Sequence, residues 1–179
     1  MYRKINQDFI KKDFTAWESL KGSNLMSQYD SKDTVLSYYN INDIEYFRTI
    51  HTRKFFTIQP NRVRFSILTG QGLLHPHRDH DASTVLNYYI SADADQTIFY
   101  NVNESAEPFS YKEGSAKNIY NLSDLTEADK FVASSGDAYL LDVSKTHSVY
   151  KTSTEPRVFI SYIWMHDDFE TILNDLTNS

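Results

Sequence analysis

Three of the six histidines fall within Leu74-His75-Pro76-His77-Arg78-Asp79-His80. In an extended segment, residues two apart project to the same side, so His77 and Asp79 can bring an imidazole nitrogen and a carboxylate oxygen to one point. A third ligand from a neighbouring strand would complete a facial triad, whose three adjacent open positions suit an iron(II) ion that takes a bidentate ligand and then oxygen. His-X-Asp alone is short and also occurs on solvated loops, so the weight falls on two residues further along the chain. His147 comes after the Gly136-Asp137 turn and the apolar run Ala138 to Val143, and it opens the next strand. It stands 70 residues beyond His77, far enough to return as a cross-strand ligand. Ten residues further on, Arg157 begins the apolar and aromatic run Arg-Val-Phe-Ile-Ser-Tyr-Ile-Trp. Strand periodicity puts Arg157, Phe159 and Ser161 on one face. An arginine facing a barrel interior is costly unless an anion neutralises it. Its planar fork can grip a terminal carboxylate in bidentate fashion, so that the other end of a dicarboxylate reaches the metal. Taken alone, an internal ion pair or an exposed strand edge would account for Arg157 equally well.

These side chains must be positioned by a β framework. From Arg62 onward, Val63, Phe65 and Ile67 alternate with Arg62, Arg64 and Ser66 in the pattern of a half-buried strand. Further strands are expected at 84–90, 97–102, 131–133, 138–143, 147–151 and 157–164. They are separated by Gly-Gln-Gly, Asp-Ala-Asp, Ser-Ser-Gly-Asp and Ser-Thr-Glu-Pro, all credible turn chemistry. Many short strands without alternating helices predict an antiparallel sandwich or barrel. Residues 1 to about 58 read instead as a flanking helical layer. Phe14, Trp17 and Leu20 have helical spacing there, and a second helix is expected over 44–55 after Asn42 or Asp43 as a cap. The polar stretch 103–129 reads as an insertion with a turn of helix near 122–129. An amphipathic helix with acidic residues at its start closes the chain over 167–177. With neither repeat nor linker, residues 1–179 are expected to form a single domain with its β core over about 60–165.

Composition limits the partners. The chain is 40% hydrophobic and 15% aromatic, with 13 Tyr and 11 Phe against 5 Gly and 4 Pro, which favours a packed β core. A formal net charge of -6, with a pI near 5.4 and no basic cluster, argues against nucleic acid or anionic membrane as a partner. The absence of cysteine excludes disulfides, thiolate catalysis, Cys-ligated zinc and iron–sulfur clusters, so any metal must be held by His and carboxylate. That absence suits a reducing compartment. With no signal-like apolar run at the N-terminus and no stretch of membrane-spanning length, a cytoplasmic location is expected.

With these residues in this order, the sequence resembles the 2-oxoglutarate- and iron(II)-dependent dioxygenase superfamily, and in particular its small prolyl- and aspartyl-hydroxylase-like members. The resemblance covers roughly the second two-thirds of the chain. It rests on His77-Arg78-Asp79, on the Gly136-Asp137 turn and apolar strand before His147, and on Arg157. It implies a mainly β fold, a double-stranded β-helix (jelly roll, cupin-like) with flanking N-terminal and C-terminal helices. It implies catalytic iron(II) at His77, Asp79 and His147, and the cosubstrate 2-oxoglutarate anchored by Arg157. The implied reaction converts 2-oxoglutarate to succinate and carbon dioxide while O2 hydroxylates a C–H bond of an amino acid, a peptidyl residue or a small metabolite. Because Asp79 occupies the position a halide would need, hydroxylation or desaturation is favoured over halogenation.

One departure matters: many relatives carry Ser or Thr two residues after the anchoring arginine, where this chain has Phe159, with Ser161 two further on. The second carboxylate contact is therefore expected from Ser161, Tyr88 or Tyr100, with Asn87 and Tyr89 as neighbouring candidates. Arg64 and His75 are candidates for substrate contact, although Arg64 could equally be a solvent-exposed strand residue. His51, His80 and His166 have no assigned role. Two other readings compete. A cupin-type metal-binding protein would use His75, His77, Asp81 and His147 without 2-oxoglutarate, but would leave Arg157 unexplained and lacks a Pro-X-Gly turn before its last histidine. A non-catalytic jelly-roll binding module would use none of them.

Overall fold

The computed structural model describes residues 1–6, 21–30, 33–41, 56–109 and 118–178. Its strands are β1 (Tyr2–Lys4), β2 (Lys21–Asp30), β3 (Thr34–Ile41), β4 (Arg62–Gly70), β5 (Gly72–Leu73), β6 (Thr84–Ser91), β7 (Gln96–Val102), β8 (Leu125–Val132), β9 (Ala138–Asp142), β10 (His147–Lys151) and β11 (Arg157–Trp164). One helix, α1 (Phe169–Asn178), follows. The strands form two antiparallel sheets, a seven-stranded one in the order β1-β9-β6-β11-β4-β3-β2 and a four-stranded one in the order β5-β10-β7-β8. The architecture is the antiparallel sandwich that the strand pattern called for, of the mainly β, jelly-roll, cupin-like kind that the resemblance implied.

The large sheet is covered on both faces, which explains why its central strand β11 is buried at all eight positions. Val158, Ile160, Tyr162 and Trp164 point outward into a cluster with Phe65, Leu86 and the α1 residues Ile172 and Leu176. The alternate residues, Phe159 and Ile163, join Leu68, Leu74, Val85, Tyr89, Phe99 and Phe131 between the sheets. Each fully buried side chain of this size contributes about 1.5–3 kcal/mol, and the inward row is interrupted only where the chemistry lies. The start of α1 is set by Asp168, whose Oδ1 accepts the Thr171 amide hydrogen at 2.8 Å. This satisfies one of the helix's free N–H groups.

Two expectations change. The first 58 residues are not a purely helical layer, because β1, β2 and β3 lie within them and extend both edges of the large sheet. Strand β2 is mostly exposed, so Ser23, Asn24 and Gln28 show no apolar alternation to reveal it. The helices expected around Phe14, Trp17 and Leu20 and over 44–55 lie outside the described residues. The helical turn expected near 122–129 is a short 3-10 turn over Leu122–Asp124. Residues 125–129 already belong to β8 and pair with β7 as far as Glu127↔Tyr100 and Asp129↔Phe99, on either side of a register shift. The exposed Thr126, Glu127, Asp129 and Lys130 on β8 make that strand read as a polar loop.

Candidate functional site

The metal-ligand candidates are brought together by main-chain pairing. His77 and His147 exchange two backbone hydrogen bonds, each 2.9 Å from N to O. They therefore form a directly opposed antiparallel pair with both side chains on one side. The ring centroids stand 4.7 Å apart. Asp79 follows two residues after His77 and is held by its amide, which donates to Val143 O at 3.1 Å. The intervening Arg78 turns the other way, its Nε donating to Thr146 Oγ1 at 3.1 Å. The 103–129 stretch returns to brace this segment. Ile119 bridges His77 on its far side, Arg78 N donates to Asn118 O, and Tyr120 N donates to Pro76 O.

The ring orientations are settled by second partners. His77 Nδ1 lies 2.8 Å from His75 O, and His147 Nδ1 lies 2.9 Å from Lys145 O. A carbonyl can only accept, so both Nδ1 atoms carry hydrogen and both Nε2 atoms offer lone pairs. The ligand atoms of His77, Asp79 and His147 all lie within 4.8 Å of one another. Two imidazole nitrogens and one carboxylate fit a divalent metal ion of the zinc, iron or manganese kind, and these three residues could hold one.

Without a metal the three groups share their charge. Burial and then the neighbouring His77 push His147 down to about 4, so it is a neutral, ligand-ready imidazole at pH 7. Burial opposes ionisation of Asp79. The hydrogen bond with His77 and the charges of His147, His77 and Arg64 outweigh it, holding the carboxyl below the usual range. His77 is also pulled down by burial, but its hydrogen bond and charge interaction with Asp79 and its bond to His75 O leave it raised.

Facing this centre is a cavity between the two sheets, lined among others by His77, Asp79, His147, Tyr89, Thr97 and Arg157. Arg157 is 2% exposed. Its Nη2 donates to Thr97 Oγ1 at 2.9 Å, while its Nε and Nη1 are buried with no hydrogen-bond partner among the described residues. The guanidinium carbon lies 4.5 Å from the centroid of the Tyr89 ring, and the Tyr89 hydroxyl is likewise buried without a partner among the described residues. Gly136 and Asp137 hold Tyr89 in place through its main chain: Gly136 N donates to Tyr89 O at 2.7 Å, and Tyr89 N donates to Asp137 O at 2.9 Å. Gly136 takes φ +88, which a residue with a Cβ rarely adopts.

The remaining expectations separate. Tyr88 points into the outer cluster with Trp164 and α1, away from the cavity. Tyr100 pairs its hydroxyl with Ser148 Oγ at 2.9 Å and does not line the cavity either. Strand parity is the reason: on β6, Val85, Asn87 and Tyr89 face inward and Tyr88 outward. Ser161 does line the cavity, but its Oγ donates to Asn87 Oδ1 at 2.7 Å, four residues along β11 from Arg157. That is about 13 Å at the usual strand rise, too far to share a carboxylate with Arg157. The side chains found against Arg157 are those of Thr97 and Tyr89. Asn87 carried a usable signal, since a polar residue in that otherwise apolar strand fits only the inward face. His75 contributes its carbonyl rather than its ring and stands outside the ligand cluster. Asp81 is exposed and paired with Arg62. His80 and His166 are exposed, and His51 lies outside the described residues.

No family model matches the chain, and no curated protein matches it. Among solved structures it is similar to oxalate decarboxylase from Bacillus subtilis at pH 4.6, with 17% identity over 80% of this chain and a TM-score of 0.38. A second oxalate decarboxylase structure, describing substrate binding and a reaction-specificity switch, matches with the same identity, coverage and TM-score. The chain spans 28% of the length of these structures.

Proposed function

We propose that this protein is an iron(II)- and 2-oxoglutarate-dependent oxygenase. The observation that carries the proposal is Arg157, buried with two N–H donors unpartnered among the described residues, on the same cavity as the His77, Asp79 and His147 cluster. A buried charge left without a counter-ion costs several kcal/mol, and the Tyr89 hydroxyl beside it is a second unsatisfied donor. A carboxylate placed there accepts from Arg157 and from Tyr89, while Thr97 holds the guanidinium from behind. A dicarboxylate with a 2-oxo group at its other end suits this distribution of donors, with that end directed at the metal cluster. Iron(II) and 2-oxoglutarate together supply the oxidising chemistry by which one atom of O2 enters a C–H bond and the other enters succinate, with loss of carbon dioxide. The chain's own contribution is to bind and orient. His75 O and Lys145 O fix the two imidazoles, Asp79 supplies the anionic ligand, and the apolar walls Leu74, Val85 and Leu141 exclude water from the cavity. The substrate is a small molecule or a peptidyl residue, and the acidic balance of the chain disfavours nucleic acid and membrane surfaces.

The test is thermal unfolding with manganese(II) as an oxygen-stable stand-in, with and without 2-oxoglutarate, followed by succinate release from the iron(II) protein under O2. At a hundredfold excess over its dissociation constant, 2-oxoglutarate should add about 2.7 kcal/mol of stability to the metal-loaded protein. No added stability from 2-oxoglutarate and no succinate would sink the proposal.

A second reading has its own support. A jelly-roll fold with a His, His and carboxylate cluster is all that a cupin-type metal-binding protein requires. That reading uses His77, Asp79 and His147 rather than a set including His75 and Asp81. It predicts a metal-induced shift that 2-oxoglutarate does not enlarge, and no succinate.

A further inference from the structure

Arg157 is not the only arginine on the cavity. Arg64, on β4, also lines it, near enough to Asp79 for its charge to act on that carboxyl, and its guanidinium carbon lies 3.9 Å from the centroid of the Tyr38 ring. Stacking of this kind holds the fork flat and leaves its edge donors outward. Arg64 makes no hydrogen bond or ion pair with any described residue, and its Nε is fully buried without a partner. In the sheet, Arg64 stands opposite Ser161, which stands opposite Asn87 on its other side, so the three form one cross-strand row. Ser161 Oγ occupies Asn87 Oδ1, and the Asn87 amide hydrogens remain as further donors on the same wall. This row lies four residues along β11 from Arg157, about 13 Å of strand at the usual rise.

Charge leads to the same place. Asp79 is the only carboxylate among the described residues lining the cavity. A divalent metal with Arg64 and Arg157 leaves three positive charges unbalanced after Asp79, and 2-oxoglutarate cancels two. A low-dielectric cavity strongly favours cancelling the last.

We propose that Arg64, with Asn87 beside it, binds the carboxylate of the molecule that this site oxidises, so that the substrate is an organic acid. This rests on the oxygenase reading above. The carboxylate belongs either to a free amino acid or to an acidic side chain within a peptide.

The experiment titrates protein saturated with manganese(II) and 2-oxoglutarate, by calorimetry, with two probe series. One series is the L-amino acids and their carboxamides. The other is N-acetyl-aspartyl and N-acetyl-glutamyl amides with their asparaginyl and glutaminyl counterparts. At least one acid should bind about tenfold or more tightly than its amide, the scale of a charge-assisted hydrogen-bonded pair. Arg64→Leu should lose that preference while the 2-oxoglutarate shift persists. Arg64→Lys, which keeps the charge and most of the volume, should retain part of it and serves if the leucine variant does not fold. Preference in the first series identifies a free amino acid, and preference in the second a peptidyl side chain. If wild-type protein shows a normal 2-oxoglutarate shift but prefers no acid over its amide, or if the preference survives in both Arg64 variants, the inference is overturned alone. If 2-oxoglutarate produces no shift in wild-type protein, the oxygenase reading falls and takes this inference with it.

Discussion

Two buried cations flank the turn between β10 and β11, six residues apart, and they are treated in opposite ways. Lys151, 1% exposed, is held by two carbonyls and a carboxylate. Its Nζ donates to Ser153 O at 2.6 Å and to Glu155 O, and it lies 3.6 Å from Asp95 Oδ2. Asp95 in turn accepts the amide hydrogens of Thr152 and Ser153. Arg157, 2% exposed, has among the described residues a single hydroxyl partner and two idle donors. Folding normally satisfies buried polar groups, and at Lys151 it has done so with groups from the same turn. The deficit at Arg157 is therefore local to the cavity wall rather than a general looseness of this end of the sandwich. One cation closes a turn, and the other is held open toward a ligand.

The contrast can be broken first at its structural side. Lys151→Ala should leave Asp95 as an uncompensated buried charge and cost about 3–5 kcal/mol, measured as a fall in the denaturant midpoint. A loss below about 1 kcal/mol would mean that the ion pair is not what holds the turn. Arg157→Leu should do the reverse. The ligand-free protein should be no less stable, because an unpaired charge has been removed, and the roughly 2.7 kcal/mol gained from a hundredfold excess of 2-oxoglutarate should vanish. A ligand-free protein crippled by this change would return Arg157 to a structural role. Tyr89→Phe sharpens the contrast, since its hydroxyl has no partner to lose. Ligand-free stability should hold, while 2-oxoglutarate binding to the manganese protein weakens by about 1.5 kcal/mol, roughly tenfold by calorimetry. Thr97→Val removes only the rear support of the guanidinium and should weaken the same binding by about 1 kcal/mol.

The smallest effect lies away from both cations. Asp168 is held below its ordinary value by its hydrogen bonds to the Thr171 amide and hydroxyl. A depressed carboxylate stabilises the fold above its unfolded pKa of 3.8 and loses that contribution as the pH falls through its folded pKa. The Thr171 amide resonance should therefore titrate with a midpoint below 3.8. A midpoint at or above that value would show that the cap does not form in solution.

The strands that carry the site were legible because their side chains follow period two. Val63, Phe65 and Ile67, and the run from Arg157 to Trp164, announce themselves. Strand β2 does not, because an exposed edge strand buries too little to require alternation, and β8 is disguised by its polar outer face. The same limit applied to the tyrosines. With apolar residues on both faces of β6, nothing local except Asn87 tells Tyr88 from Tyr89.

The sequence by itself determined which chemistries were possible and in what order their residues occur. Without cysteine, a metal had to be held by His and carboxylate. His77 and Asp79 had to project together because they are two apart in an extended chain, and Arg157 had to share a face with Phe159 and Ser161. Tertiary structure alone decided which residues stand across from one another. It opposed His147 to His77, kept His75 and Asp81 out of the cluster, set Thr97 and Tyr89 around Arg157, and put Arg64 in one cross-strand row with Ser161 and Asn87. The physical reason is that covalent spacing fixes direction only along one strand. Register between strands distant in sequence is set by how the whole sheet packs, and whether a buried donor finds a partner is known only once every neighbour is in place.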